Sequence, residues 1–146
     1  MNPLLPPSYV NTPVPIAYAG GQGISFRGDS TTTPWGAVPY GRIVNNTIFG
    51  DALPRGTGIL VADNASPTIL NNIFAYLQTG IQIQGAAGVP APEIGHNLFQ
   101  GNVNNGTTGS FAFISADPNP DTLFIDTEVG NFYLQSGVAA IDSSLN

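Results

Sequence analysis

The chain has 146 residues, a formal net charge of −6 and only 8 % charged residues. Its three basic residues are all arginines, so it lacks the clustered Lys and Arg that bind nucleic acid or an anionic membrane surface. There is no cysteine, which excludes disulfides and thiolate metal sites, and no apolar run approaches the roughly 20 residues that span a bilayer. The hydrophobic content of 42 %, together with 18 Gly and 13 Pro, is typical of a turn-rich all-β protein rather than a disordered chain.

The N-terminal stretch predicts an extended arm. It contains Pro3, Pro6, Pro7, Pro13 and Pro15, which exclude a helix and favour polyproline character. The same stretch has neither a basic segment nor a long apolar core, so we do not expect a signal peptide there. We divide the chain into an arm, residues 1–19, and one folded domain, residues 20–146, and expect the arm to lie on the domain or on a neighbouring molecule.

Three pairs of short strands follow one another along the chain. The first strand of each pair begins with a Gly-Ile step, at Gly23-Ile24, Gly58-Ile59 and Gly80-Ile81. The second strand of each pair is centred on Ile43, Ile69 or Ile94. No segment keeps a 3.6-residue apolar period over ten or more residues, so at most a short capping helix is expected.

An asparagine follows each second strand, and the three steps align without a gap. Asn46, Asn72 and Asn97 recur at nearly equal spacing. A repeat of about 25 residues is typical of coils of β-strands stacked on one another. Stacked coils place matching positions about 4.8 Å apart, so we predict a ladder of hydrogen-bonded amides at a corner where asparagine also accepts a left-handed backbone.

These steps resemble the right-handed parallel β-helix repeat proteins, the pectate-lyase-like superfamily. The resemblance rests on Asn45-Asn46-Thr47-Ile48 and Asn71-Asn72-Ile73-Phe74, each preceded by its Gly-Ile strand. The tail, residues 123–126 and 130–137, resembles the segment that ends many such domains in large bacterial surface proteins. The resemblance implies a right-handed parallel β-helix. At roughly 22–26 residues per coil, the chain is expected to make about five to six coils.

One kind of enzyme in that superfamily is the pectate lyase. The resemblance implies a calcium ion held by clustered acids and a proton abstracted by an Arg or Lys on the neighbouring strand. Arg42 is the only arginine that opens a predicted repeat strand, and no group of acids recurs at coil spacing near it. We therefore expect neither a lyase site nor a resident metal.

A second kind is the polygalacturonase-type hydrolase, with several Asp and a Gly-His-Gly step. Gly95-His96-Asn97 is similar to that step, but the repeat alignment puts His96 in the column of corner residues that includes Asn45 and Asn71, where a polar residue replacing asparagine is expected. Glycoside hydrolysis needs two carboxyls about 5–10 Å apart. Glu93 and Asp63 are the pair that adjacent coils could bring close. We name no catalytic residue and no cofactor, and the sequence leans against an enzyme.

Two further features have alternative interpretations. Residues 117–121, Asp-Pro-Asn-Pro-Asp, have the acid spacing of a calcium loop, but Thr122 stands where such a loop has glycine, so a capped turn is favoured. Trp35 and Tyr40 are aromatic residues that could bind a glycan by stacking, or could cover the end of the coils.

The ends of the stack complete the prediction. No charged capping helix is recognisable at either end, so we expect contact with other copies of the chain, head-to-tail, or with the rest of a larger chain. The sequence therefore favours a non-catalytic structural or assembly β-helix, a fibre or adhesin segment at the cell or virion exterior. The alternative is a polysaccharide-active enzyme fragment or a glycan-binding module.

Overall fold

The computed structural model describes residues 20–29, 38–50, 55–84, 91–106, 113–115 and 123–138. All regular structure in these residues is β-strand. The strands in chain order are β1 (Gln22–Arg27), β2 (Arg42–Val44), β3 (Thr47–Phe49), β4 (Thr57–Ala62), β5 (Thr68–Leu70), β6 (Ile73–Ala75), β7 (Thr79–Gln84), β8 (Glu93–Gly95), β9 (Asn97–Gln100), β10 (Asn104–Gly106), β11 (Phe113–Ser115), β12 (Phe124–Asp126) and β13 (Asn131–Leu134).

Strands β1 to β11 form three parallel sheets that run along one stack. Their orders are β1-β4-β7-β10, β2-β5-β8 and β3-β6-β9-β11, so each of the first three coils contributes one strand to each sheet. The prediction of an all-β parallel coil is confirmed. The described residues make three complete coils and two strands of a fourth; the count of five to six stays a prediction, and the arm, residues 1–19, lies outside the described residues.

Matching side chains stack in columns inside the coil. Ile24, Ile59 and Ile81 are in register in the first sheet. The second sheet stacks Ile43, Ile69 and Ile94, and the third stacks Ile48, Phe74 and Phe99. The rings of Phe74 and Phe99 are parallel within 15° at 5.1 Å. These three columns form the interior core, and each fully buried member stabilises it by about 1.5–3 kcal/mol.

The glycine before each isoleucine makes room for the third column. A Cβ added at Gly58 would lie 2.6 Å from Cδ1 of Phe74, and one at Gly80 would lie 2.8 Å from Cε1 of Phe99. Distances this short are not tolerated by real side chains. An added Cβ would also meet a carbonyl of the next coil, 2.5 Å away at Gly58 and 2.8 Å away at Gly80. The Gly-Ile step therefore recurs because the third column and the backbone of the next coil leave no room for a side chain.

The tail does not add a further parallel coil. Strands β12 and β13 pair antiparallel, and Leu123 and Phe124 pack with Ala75 and Leu98 in a second apolar cluster. Ala75 and Leu98 neighbour the interior residues Phe74 and Phe99 along their strands, so they point to the outer face of the sheet. The hairpin thus covers the outside of the β3-β6-β9-β11 sheet.

Candidate functional site

The three predicted amides lie in one file along the stack. Asn46 donates from Nδ2 to Oδ1 of Asn72 at 2.9 Å, and Asn72 donates from Nδ2 to Oδ1 of Asn97 at 3.0 Å. The backbone N–H groups of Asn46 and Asn72 donate to the same two oxygens at 3.0 and 2.9 Å. Each acceptor oxygen therefore binds the side chain and the main chain of the preceding coil.

The same amides also bind carbonyl groups of the coil before them. Asn72 Nδ2 donates to the Ile43 carbonyl at 2.8 Å, and Asn97 Nδ2 donates to the Ile69 carbonyl at 2.8 Å. Asn72 is 1 % exposed and Asn97 is fully buried. A buried amide must satisfy its donors and acceptor internally, and here they tie consecutive coils together.

The left-handed backbone of the corner belongs to a different column. Asn45, Asn71 and His96 have φ of 58°, 54° and 50°. Assigning the left-handed region to the ladder asparagines was wrong: the residue before each one takes it, because the corner must turn before the buried amide can point along the stack. The prediction that His96 replaces asparagine at a corner is confirmed by its backbone conformation.

A fourth structural asparagine was missed. Asn102 accepts the Leu77 N–H on Oδ1 at 2.8 Å and donates to the Phe74 carbonyl at 2.9 Å, so it joins the third turn of chain to the second. The residue one repeat earlier is Leu77, not asparagine. No repeat therefore marked the position, and only spatial proximity identifies it.

The residues considered for enzyme chemistry are Arg42, Glu93 and Asp63, and the structure describes all three. Arg42, Thr68 and Glu93 occupy successive positions of one column, so Arg42 and Glu93 are two coil spacings, about 10 Å, apart along the stack. Asp63 forms an ion pair with Arg27 at 3.1 Å. Across the described ranges no three His, Cys, Asp or Glu side chains lie close enough to share a metal ion.

The other predicted ligand residues separate into described and undescribed positions. Tyr40 is described and 71 % exposed. Trp35 and the acidic segment 117–121 lie outside the described residues. In the part of the chain that is described, no helix has the length and apolar character needed to cross a membrane.

One cleft of about 410 Å³ opens beside the start of β1. It is lined by Gly20 to Gly23, by Ile48 to Gly50, by Arg55 to Thr57, and by Leu77. Main chain and apolar groups make most of its wall, and no group of functional side chains recurs around it. The cleft lies at the end of the stack where β1 begins, and its lining does not indicate a particular ligand.

A family model described as a right-handed beta helix region matches residues 16–115. Since this range is more than half of the chain, the protein belongs to that family. Comparison with curated proteins and with solved structures returned no match. The family defines the handedness of the coil and the repeat, and leaves the biological role to be argued from the molecule.

Proposed function

We propose that this protein is a non-catalytic structural β-helix that associates with further copies of itself or with the rest of a larger chain. The observation that carries the proposal is the use made of the repeated polar residues. Asn46, Asn72, Asn97 and Asn102 direct their amides at groups of adjacent coils. The repeated polar side chains therefore hold adjacent coils together and are not presented at the surface for binding or catalysis.

The amino-acid composition supports a scaffold at the exterior of a cell or virion. Charged residues make up 8 % of the sequence, and lysine is absent. Polar contact is left to amide and hydroxyl side chains, which pack and hydrogen-bond without the desolvation cost of charges. The proposal includes the finer placement in the pectate-lyase-like superfamily, as a segment of a large surface protein.

The test is the state of association of the purified full chain. Sedimentation velocity over a roughly hundredfold concentration series, with negative-stain microscopy of the same samples, should show species larger than one chain that dissociate on dilution. A chain that stays monomeric up to the highest concentration would contradict self-association. Particles of defined size or filaments would each support it.

A second proposal is glycan binding at Tyr40, and it rests on the 71 % exposure of that ring. An exposed aromatic face can stack on a sugar ring. Binding to a glycan array should be lost in Tyr40→Ala and kept in the control Tyr133→Ala, which removes another exposed ring. The absence of binding by the unaltered chain would remove this proposal without affecting the first.

A further inference from the structure

Within the described residues, the first coil begins with a strand that has one open edge. β1 has six residues and is the terminal strand of its sheet, and among the described strands only β4 pairs with it. Gln22, Gly23, Ser25 and Arg27 are exposed along it. An edge strand of this length presents a row of backbone groups that can pair with another strand.

The hydrogen-bond direction shows which groups face outward. The Gly28 N–H donates to the Ala62 carbonyl at 3.1 Å, and Arg27 stands opposite Ala62 in register. Pairing with β4 is continuous from Ile24 to Arg27, and successive residues of a parallel strand address alternate neighbours, so Phe26 also points its N–H and C=O towards β4. The Gly21 carbonyl accepts from the Thr57 N–H, so the alternation changes phase near Gly23, where the continuous pairing stops. The N–H and C=O of Ser25 and Arg27 therefore point away from the sheet, at the open edge.

Proteins protect such edges with lysine, proline or unpaired charge, and β1 has none of these. Its only ionisable residue is Arg27, whose Nη1 pairs with Asp63 Oδ2 at 3.1 Å and whose Nε donates to Ser25 Oγ at 3.2 Å. The guanidinium is thus bound by side chains of its own molecule. Nothing in the sequence of β1 repels a second strand.

The interior of the first coil, next to the open edge of β1, is also apolar and incompletely covered. Ile24, Phe26 and Ile48 are only partly buried, although each packs against the interior core. Their equivalents one coil further, Ile59, Val61 and Phe74, are essentially fully buried. A molecule placed on this end would complete the burial that a preceding coil would otherwise provide.

We propose that the open edge of β1 is a docking surface for β1 of a second copy, with the two strands antiparallel about a two-fold axis. This inference rests on the proposed self-association and specifies its surface. Pairing Ser25 with Ser25 or with Arg27 of the second copy lets the outward backbone groups exchange hydrogen bonds. Neither register places Arg27 opposite Arg27, so like charges do not meet, and the contact is self-complementary.

Among the described strands, the opposite end of the stack is a poorer partner for this edge. There β10 has three residues and pairs with β7 only through Asn104 and Gly106. The amide file also stops inside the molecule, because Phe113 of β11 stands opposite Asn97. A head-to-tail neighbour would therefore offer Asn46 no amide, whereas the two-fold arrangement matches the long edge with itself.

The experiment compares two substitutions at Ser25 in the full chain by sedimentation velocity. Ser25→Pro removes an N–H that points at the open edge and leaves the bonds to β4 in place, which is the position where a strand tolerates proline. Ser25→Ala keeps the N–H and removes the same hydroxyl. We expect Ser25→Ala to dimerise as the unaltered chain does and Ser25→Pro to raise the dimer dissociation constant at least about tenfold, since the symmetric contact loses the bond in both copies.

A charge variant covers the case in which proline disturbs β1 itself. Ser25→Glu keeps the backbone donor and places a negative charge at the edge of each copy. In the Ser25–Ser25 register the two carboxylates face each other and should weaken the dimer, whereas in the Ser25–Arg27 register each carboxylate faces Arg27 and should strengthen it; either effect should be larger at low salt than at high salt. Far-ultraviolet circular dichroism and thermal melting establish that each variant is folded. Dimerisation of both variants as tight as that of Ser25→Ala would overturn the β1 surface while leaving self-association standing. Filaments of the unaltered chain would overturn the two-fold arrangement. A strict monomer would overturn both the β1 surface and self-association, and would leave only association with the rest of a larger chain.

Discussion

At the corner of each coil, one residue takes the left-handed backbone conformation and the next one forms the amide hydrogen bonds, whereas the sequence predicted both roles for a single asparagine. Asn45, Asn71 and His96 turn the chain with positive φ, and the asparagine that follows each of them donates and accepts along the stack. The first position requires a residue that tolerates the left-handed region, which explains a histidine there. The second requires a short amide with a donor and an acceptor.

Asn72→Ala should lower the free energy of unfolding by about 3 kcal/mol, because the change leaves several buried backbone groups without partners. Asn46→Ala is the matched control, since Asn46 begins the file, is partly exposed and binds only one neighbouring coil. We expect about 1 kcal/mol for the control. Urea unfolding measures both, and equal losses would show that the file does not act through buried bonds.

His96→Asn should leave stability unchanged or raise it, because asparagine accepts positive φ at least as well as histidine. His96→Val should cost about 1–2 kcal/mol, since a branched side chain is strained in the left-handed region. Thermal melting of the two variants gives the comparison. A large loss of thermal stability in His96→Asn would contradict this prediction and would mean that the imidazole stabilises the fold through a contact of its own.

At the scale of the strand, the pairing of a glycine with an aromatic column determines the width of the coil. Gly58 lies against Phe74, and Gly80 lies against Phe99. The sheets approach so closely there that backbone packs directly on a ring. The coil can therefore enclose an apolar core with short strands of three or four residues on two of its three sides.

Gly58→Ala should destabilise the protein by about 2–3 kcal/mol, because the new methyl group overlaps both the Gly80 carbonyl and the Phe74 ring, and the backbone must shift. Gly21→Ala is the control: a Cβ there meets nothing within 4 Å, and the change should be nearly neutral. Denaturant midpoints at constant m-value report the difference. A neutral Gly58→Ala would indicate a lumen with spare room.

The terminal hairpin is an element of a different kind, since it stabilises the coil from outside. Phe124 is 5 % exposed, and its ring lies 5.8 Å from Phe49 and 5.6 Å from Phe132. Phe49 belongs to β3 in the first coil. The last part of the described chain thus contacts the first coil, and the hairpin clamps coils that otherwise touch only their neighbours.

Phe124→Ala should cost about 3–5 kcal/mol, as expected for a buried aromatic side chain. Tyr133→Ala, in the facing strand and 78 % exposed, should cost less than about 0.5 kcal/mol. Urea unfolding with both variants tests whether the hairpin is docked. Similar small effects for the two would mean that it contributes little to the stack.

For the whole molecule, a stack of coils implies that stability depends on the number of neighbours each coil has. The second coil pairs with coils on both sides, whereas β1 of the first pairs with β4 alone among the described strands. Nearest-neighbour terms dominate in such a fold. Because the first coil has a neighbour on one side only among the described strands, binding of a partner there should add the most stability.

Amide hydrogen exchange of the dilute protein should therefore be slowest in β4 and about tenfold or more faster in β1. Raising the protein concentration should slow exchange in β1 selectively if the second copy docks there. Exchange at one common rate throughout would instead show that the described coils open only as a single cooperative unit.

The sequence by itself determined the coil, its period and the column of amides. A stacked repeat places the same residue type at a fixed spacing along the chain, and few other residue types can make the hydrogen bonds of a buried asparagine. Tertiary structure alone decided the role of Asn102, the antiparallel hairpin over the outer face and the open edge of β1. None of these is marked by a residue type that recurs along the chain: Asn102 follows Leu77 by one repeat, the hairpin lies outside the repeat, and the edge of β1 depends on which strands pair. Such contacts depend on which surfaces the finished coil presents, and that is a property of the assembled stack rather than of any local pattern.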